Sequence, residues 1–229
     1  MKRLLFTLLF LSIASILADQ PLILSPRHDQ GTGPIEVVMT DGVVYSQPYS
    51  LELLDNAVSI YSILNRWFCD DFELDDNYYI TDIYIWVLWT GEHASEMNMV
   101  ISEDDTNDSD PNTNTDVWSE SIPCTSTFTG DVSWGFDIYE VHCVIDADIY
   151  PELSADSHYY LEIQAEATAN TFILFSWYCV EDCAWWDDGS GVWVSMDTWW
   201  GEVDAFFVLH GELVSALEPE TWGSIKTLF

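Results

Sequence analysis

Apolar residues recur at every second position along most of this chain, and this period restricts it to β-structure. Tyr159, Leu161, Ile163 and Ala165 alternate with more polar neighbours, which is the pattern of a strand with one buried face and one face in water. Residues 83–89 are apolar on both faces, which predicts a central strand. Because short strands are separated by Asp, Asn, Gly and Ser turns, the sequence predicts an all-β fold, an antiparallel β-sandwich of the jelly-roll type.

The other predicted strands are short and spread along the chain. A length of 229 residues fits one all-β sandwich or barrel, or at most two small domains. We predict a single sandwich domain over residues 19–213. Its further strands are predicted at residues 36–39, 43–45, 60–64, 97–101, 117–122, 139–145, 171–179, 192–196 and 205–210.

The N-terminal residues have the pattern of a secretory signal. Lys2 and Arg3 precede an almost purely apolar run over residues 4–17, and Ala18 comes directly before polar residues. The run is shorter than the roughly 18–20 apolar residues of a membrane anchor, which is the alternative. We therefore predict a signal peptide over residues 1–18, a secreted or cell-surface protein, and no membrane-spanning segment after cleavage.

Acidic residues outnumber basic residues by 40 to 5, giving a formal net charge of −35. Nucleic-acid binding requires a basic surface, so this class of partner is excluded, and binding to anionic membranes is disfavoured. Disorder is disfavoured too, because 48% of the residues are hydrophobic. Calcium or high external salt would relieve the repulsion between carboxylates. The charge leaves open whether it serves solubility, halophilic adaptation or calcium dependence.

Two motifs carry a resemblance to a known family. The runs FCDDFEL at residues 68–74 and ITDIYIW at residues 80–86 resemble the opening of exported bacterial jelly-roll modules, the carbohydrate-binding-like or anchor-associated β-sandwiches of large surface proteins. The run DAFFVLHG at residues 204–211 resembles their closing strand, and Cys69 stands where the family has Ala. The resemblance covers about residues 60–213 and implies a fold rather than a reaction.

The last residues carry a second resemblance. After a short polar joint, the chain ends with TWGSIKTLF at residues 221–229, which resembles a C-terminal tag on exported proteins of several bacterial groups. The alternative is a last strand or a ragged terminus. We therefore assign residues 214–229 to a linker and tag.

The jelly-roll resemblance implies a calcium site, because a structural calcium ties the first and last strands together in many such modules. Asp70, Asp71 and Asp204 lie in the two motifs and would be near neighbours if these strands meet. The alternative is that Asp70 and Asp71 cap a turn and that Asp204 only begins a strand.

A polar segment over residues 104–116 suggests a second cation site. Asp108, Asp110 and Asp116, with Asn112 and Asn114 between them, place oxygen-bearing side chains at every second position, and calcium requires six to eight oxygen ligands. The segment does not match the EF-hand pattern, which needs Gly at the sixth loop position and Glu at the twelfth. The alternative is a solvated connection between two strands.

Tryptophans near the C-terminal end of the domain are candidates for glycan binding. Flat rings beside carboxylates can stack on a sugar while the acids accept bonds from its hydroxyl groups. Trp185 and Trp186 are adjacent in sequence, as are Trp199 and Trp200. In an extended backbone, one ring of each such pair should point outward. The alternative is that the rings fill the core. The candidates are Trp185, Trp186, Trp193, Trp199 and Trp200, with Trp177 nearby and Asp187 and Asp188 between them.

The odd number of cysteines predicts at least one free thiol. Export permits disulfides. Cys124 and Cys143 lie on strand-like segments that could pair, Cys179 and Cys183 could close a small loop, and Cys69 is then left over. The cysteine and histidine spacing disfavours a structural zinc site.

The sequence contains no Gly-x-Ser-x-Gly elbow, His-Glu-x-x-His helix or phosphate-binding glycine loop. We therefore predict a non-catalytic exported β-sandwich that binds or assembles at the cell surface or in the extracellular space, with a glycan or another cell-surface protein as partner. The alternatives are a glycan-binding module that uses the tryptophans and a jelly-roll glycoside hydrolase, which would need two carboxylates at a defined separation.

Overall fold

The structure, a computed structural model, describes residues 42–47, 49–60, 62–106, 108–167, 170–176, 184–197 and 203–214. The predicted signal peptide, the C-terminal tag and the predicted strand at residues 36–39 lie outside these ranges. In the ranges described, no helix has the length and apolar character needed to cross a membrane. Five of the candidate residues also lie outside the described ranges, namely Trp177, Cys179, Cys183, Trp199 and Trp200.

Strands account for most of the described chain, together with two short 3-10 turns at Ser62–Leu64 and Pro111–Thr113. The strands are β1 (Val43–Gln47), β2 (Leu54–Ser59), β3 (Trp67–Glu73), β4 (Tyr78–Trp89), β5 (Glu96–Glu103), β6 (Thr115–Ser133), β7 (Phe136–Val144), β8 (Glu152–Leu153), β9 (His158–Glu166), β10 (Thr171–Ser176), β11 (Trp185–Asp187), β12 (Val194–Ser195), β13 (Asp204–Ala205) and β14 (Phe207–Leu213).

The strands form one curled antiparallel sheet whose main path runs β1-β14-β4-β7-β6-β5-β9-β3-β11-β12. The curl occurs within β6, whose first part pairs with β5 as far as Pro123, while its second part pairs with β7 from Cys124 onward. This corner divides the sheet. On one side of the corner lie β1, β14, β4 and β7, together with β2, β8, β10 and β13, and we call these strands the β4 half. On the other side lie β5, β9, β3, β11 and β12, which we call the β9 half.

The two halves face each other across the main core. Ile83 and Ile85 of β4 belong to the same buried cluster as Leu161 of β9. Phe72 of β3 packs its ring 6.2 Å from that of Phe207 in the opposite half. The predicted all-β antiparallel sandwich is therefore confirmed.

A second, smaller core lies on the other face of the β4 half. Trp86 and Leu88 of β4 pack there with Phe172 and Leu174 of β10. Strand β4 is thus buried on both faces, as its apolar sequence predicted, and it pairs with β7, β10 and β14.

The predicted strand at residues 60–64 is wrong. That segment contains the turn Ser62–Leu64, and the strand lies earlier, at Leu54–Ser59. Alternation did not reveal β2 because all six of its residues are buried, including Asp55 and Asn56. A strand with polar residues in buried positions has no regular contrast between its two faces.

Candidate metal centre

Asp70, Asp71 and Asp204 lie together where the two halves of the sheet meet. Asp70 and Asp71 are on β3, and Asp204 begins β13, which pairs with β10 in the opposite half. Each carboxylate offers an oxygen, and the three oxygens lie within 4.8 Å of one another. The structure therefore brings together the three acids that the two family-like motifs supplied, and we call them the acidic centre.

Hydrogen bonds fix the orientation of each acid. Asp70 is 2% exposed, and its Oδ2 accepts a hydrogen bond from the backbone N–H of Ala205 across the interface between the halves. Asp204 Oδ2 accepts a hydrogen bond from Gln47 Nε2 at 2.7 Å. Asp71 Oδ2 lies 2.9 Å from His158 Nε2 on β9.

The acidic centre is electrostatically unfavourable without a cation or protons. Burial raises the pKa of Asp70 well above its ordinary value, and the neighbouring Asp204 and Asp71 carboxylates raise it further. Removing ionised carboxylates from water is costly unless opposite charge accompanies them. A hard cation supplies that charge and prefers oxygen ligands, as calcium does with six to eight of them. Asp70, Asp71 and Asp204 supply oxygen donors of the kind that calcium binds, and they are the residues that would hold such an ion.

The second predicted cation site is organised differently. Asp108 Oδ1 accepts hydrogen bonds from the N–H of Asp110 and the hydroxyl of Thr113. Asp110 caps the turn Pro111–Thr113, because its Oδ1 accepts a hydrogen bond from the N–H of Asn112. Asp116 is exposed on β6. In the described part of the chain, the acidic centre is the one group of three His, Cys, Asp or Glu side chains close enough to share an ion. Asp108 and Asp110 take part in turn formation, and a cation site in this segment stays a prediction.

His158 connects the acidic centre to this polar segment. Its Nδ1 lies 3.6 Å from Asp104 Oδ2, while its Nε2 faces Asp71. The Asp104 carboxylate in turn accepts bonds from the backbone N–H groups of Asp108 and Ser109. The sequence did not predict this connection, because the pairing of β9 with β3 places His158 near Asp71 and the pairing of β9 with β5 places Asp104 near His158.

Of the candidate tryptophans that the structure describes, one is buried and two are half-buried. Trp186 is 1% exposed, donates its ring N–H to the carbonyl of Ser59, and lies under the Arg66 guanidinium at 5.6 Å. It packs in the core and has no open face for a sugar. Trp185 and Trp193 are both half-buried.

Strand register places a third tryptophan beside these two. Trp67 of β3 lies opposite Asp187, and Trp185 lies opposite Cys69 on one side and Ser195 on the other. Residues opposite each other share a sheet face, and continuing the β11–β12 register places Trp193 on that same face. Trp67 is also half-buried. We call Trp67, Trp185 and Trp193 the tryptophan face; sequence proximity could not reveal Trp67.

Asn112 holds the outer end of the tryptophan face. Its side-chain oxygen accepts the Trp193 N–H at 2.7 Å, and its Nδ2 donates to the Trp193 carbonyl at 3.1 Å. The polar segment therefore sets the backbone position of Trp193 and places Asp110 nearby in the same turn.

The described cysteines carry free thiols. Cys69 is fully buried on β3, and burial raises its pKa well above the ordinary value. Cys124 and Cys143 lie directly opposite each other on β6 and β7. The structure thus brings the predicted pair together without a bond between the sulfurs.

Comparisons of the chain with protein-family models, with curated proteins and with solved structures gave no significant match.

Proposed function

We propose that the protein is a non-catalytic extracellular β-sandwich module whose two halves are joined by a calcium ion at the acidic centre. The observation that carries this proposal is the meeting of three buried carboxylates from β3 and β13, each less than 5% exposed. A calcium ion held between the β4 half and the β9 half would stabilise the sandwich without taking part in any reaction. Binding or assembly at the cell surface is the role that such a rigid acidic module serves.

Two further features of the sequence support this proposal. The signal-like N-terminus favours export, and modules outside the cell use calcium sites with dissociation constants of about 10⁻⁴–10⁻³ M. The net charge of −35 also raises the local concentration of divalent cations around the molecule. A weak site in this protein would therefore still fill at millimolar calcium.

Thermal unfolding in calcium and in sodium chloride of equal ionic strength tests the site. We expect saturating calcium to raise Tm by about 5–10 °C beyond the sodium control, because a hundredfold excess over Kd contributes about 2.7 kcal/mol. Asp204→Asn should lose most of this increment. The control Asp137→Asn makes the same charge change at an exposed position on β7 and should keep it.

Equal shifts in the two salts, or a full calcium response in Asp204→Asn, would reject the site. Metal-free Asp204→Asn should unfold at or above the Tm of the metal-free wild type, because the substitution removes a repelling charge from beside Asp70. This measurement separates loss of an ion ligand from a general failure to fold.

We propose glycan binding as the second candidate function, supported by the tryptophan face. The register of β3, β11 and β12 assigns these three half-buried residues to one sheet face, and the polar segment contacts this face through the Asn112 side chain and the Trp193 backbone. Stacking of a nucleic-acid base on an aromatic side chain contributes about 1–3 kcal/mol, and we take the stacking of a sugar ring to be of this order. Such a platform would suit the extended face of a polysaccharide chain.

A glycan array followed by titration of any retained polysaccharide tests this candidate. Trp185→Ala and Trp193→Ala should each weaken binding at least tenfold, whereas Trp118→Ala, at a half-buried tryptophan on β6, should not. No reducing sugar should appear during the assay. Its release would favour the glycoside hydrolase alternative, and retention unaffected by either substitution would exclude the tryptophan face.

A further inference from the structure

Cys124 and Cys143 occupy the corner at which β6 passes from one half of the sheet to the other. Cys124 is the first residue of β6 to pair with β7, and its partner in the register is Cys143. Cys143 is fully buried, and Cys124 is half-buried. The Cys124 thiol donates to the carbonyl of Ala94 at 3.5 Å, and the Cys143 thiol lies close enough to interact with it.

Backbone hydrogen bonds identify these two residues as a non-hydrogen-bonded pair of the ladder. The Cys124 N–H donates to the carbonyl of Ser95, away from β7. The N–H of Ile145, two residues beyond Cys143, donates to Thr81 on the opposite side, away from β6. Neither cysteine therefore directs its backbone groups at the other. In such pairs the Cα atoms are about 4.5 Å apart, within the range that a disulfide spans.

The surroundings of the two thiols differ in a way that sets an order of reaction. The hydrogen bond from the Cys143 thiol lowers the pKa of Cys124, whereas the same bond and burial raise the pKa of Cys143. The thiolate is the attacking species in disulfide exchange. Cys124 is thus both the more accessible sulfur and the one more readily ionised.

We propose that Cys124 and Cys143 are a site of oxidative modification, where thiol–disulfide exchange closes a disulfide across the corner of the sheet. The inference rests on the proposed export, since the glutathione pool of the cytosol keeps most thiols reduced. The co-reactant is a disulfide, either a small molecule such as glutathione disulfide or a disulfide-donating protein.

The exchange proceeds in two steps that balance. The Cys124 thiolate attacks the donor disulfide, forms a mixed disulfide and releases one donor thiolate. Cys143 then loses its proton to solvent, attacks Cys124 Sγ and displaces the second donor thiolate. Two protein thiols are oxidised and one donor disulfide is reduced to two thiols. The product fixes the corner, because it links the residue at which β6 changes its pairing partner to strand β7 of the β4 half.

Incubation of the purified, reduced protein with glutathione disulfide at pH 8 in EDTA tests the proposal. We expect closure of this bond to lower the mass by about 2 Da, and the peptide map separates it from any bond between Cys179 and Cys183. The peptide map should use a protease that cleaves at acidic residues, because a chain with only five Lys and Arg gives few peptides when it is cleaved at basic residues. The map should show a peptide linking Cys124 to Cys143, with Cys69 alkylated only after unfolding. Oxidation should raise Tm by about 6 °C or more.

Two variants test the order of attack. Cys143→Ser should accumulate a glutathione adduct on Cys124, whereas Cys124→Ser should leave Cys143 unmodified over the same time. Cys69→Ala, the matched control, should close the bond as the wild type does.

Free Cys124 and Cys143 after prolonged exposure, a linkage to Cys69, or an adduct on Cys143 rather than Cys124 would overturn the proposal. The peptide map is made on the wild-type protein, so its result does not depend on whether a variant folds. Because the assay uses purified protein without calcium, its outcome is independent of the acidic centre and of where the protein resides.

Discussion

At the scale of single residues, Glu162 shows how burial converts an acid into a source of pH dependence. It lies on β9, where its carboxylate accepts a bond from the Ser102 hydroxyl at 3.0 Å. Burial raises the pKa of Glu162 to about 7, and the Asp116 charge adds to the increase. Because the folded-state pKa exceeds the unfolded value, the residue does not oppose folding at low pH. It opposes folding increasingly as pH rises from about 4.5 to 7.

Glu162→Gln should therefore stabilise the protein at pH 8 by on the order of 2 kcal/mol more than at pH 5. Glutamine keeps an oxygen for Ser102 but carries no charge. Urea unfolding at the two pH values measures the difference, with Glu120→Gln on the exposed part of β6 as the matched control. A pH-independent effect of Glu162→Gln would show that the carboxylate ionises without cost in the folded state.

The sequence supplied some site residues and omitted others for a physical reason. Asp70, Asp71 and Asp204 lie within recognisable motifs, so their proximity could be expected once the first and last strands were assumed to meet. His158 and Trp67 belong to no motif. They reach their sites through the pairing of β3 with β9 and β11, and register is a property of the folded sheet.

At the scale of elements, the turn between β11 and β12 depends on two glycines with different surroundings. Gly189 and Gly191 both have positive φ, +101° and +77°. A Cβ at Gly189 would lie 2.3 Å from the backbone oxygen of Leu64, whereas a Cβ at Gly191 would meet nothing within 4 Å. Asp187 accepts bonds from the N–H groups of both glycines. The turn is therefore closely packed on one side and open on the other.

Gly189→Ala should cost at least about 2 kcal/mol more than Gly191→Ala, because only the first adds a backbone clash to the strain of a positive φ. Alanine retains the N–H in both cases, so the bonds to Asp187 provide no difference. Chemical unfolding of the two variants measures the gap. Equal costs would mean that the turn moves freely away from Leu64 and does not rest on it.

Strand positions were more predictable than strand partners. Alternation identified β4, β7 and β9, whose faces contrast or are uniformly apolar. It missed β2, which buries Asp55 and Asn56, and it gave no indication that β6 serves both halves, because the exposed residues of β6 alternate through the corner without interruption. The change of partner at Cys124 leaves no local signal.

At the scale of the whole molecule, repulsion among acidic residues opposes the compact state. The formal net charge is −35 on 229 residues. Uniform excess charge destabilises folded proteins through self-repulsion, and its range shortens from about 20 Å to about 4 Å between 20 mM and 500 mM salt. Screening and specific coordination are therefore separable contributions to stability.

Sodium chloride alone should raise Tm by several degrees between 20 mM and 500 mM in the presence of EDTA, with most of the rise below 200 mM where the screening length changes fastest. Differential scanning fluorimetry in EDTA measures this background on which calcium acts. A Tm that is flat or falls with sodium chloride would show that repulsion between exposed carboxylates does not limit the stability of the folded state.

The double role of β6 also limits how the length of this chain can change during evolution. A strand that gains or loses one residue exchanges its inward and outward side chains beyond that point. In β6 this would exchange the buried and exposed side chains of one half relative to the other, because the same strand sets the register with β5 and with β7. Insertions and deletions should instead accumulate at the tip of the β6–β7 hairpin, where Trp134 and Gly135 already turn the chain at positive φ.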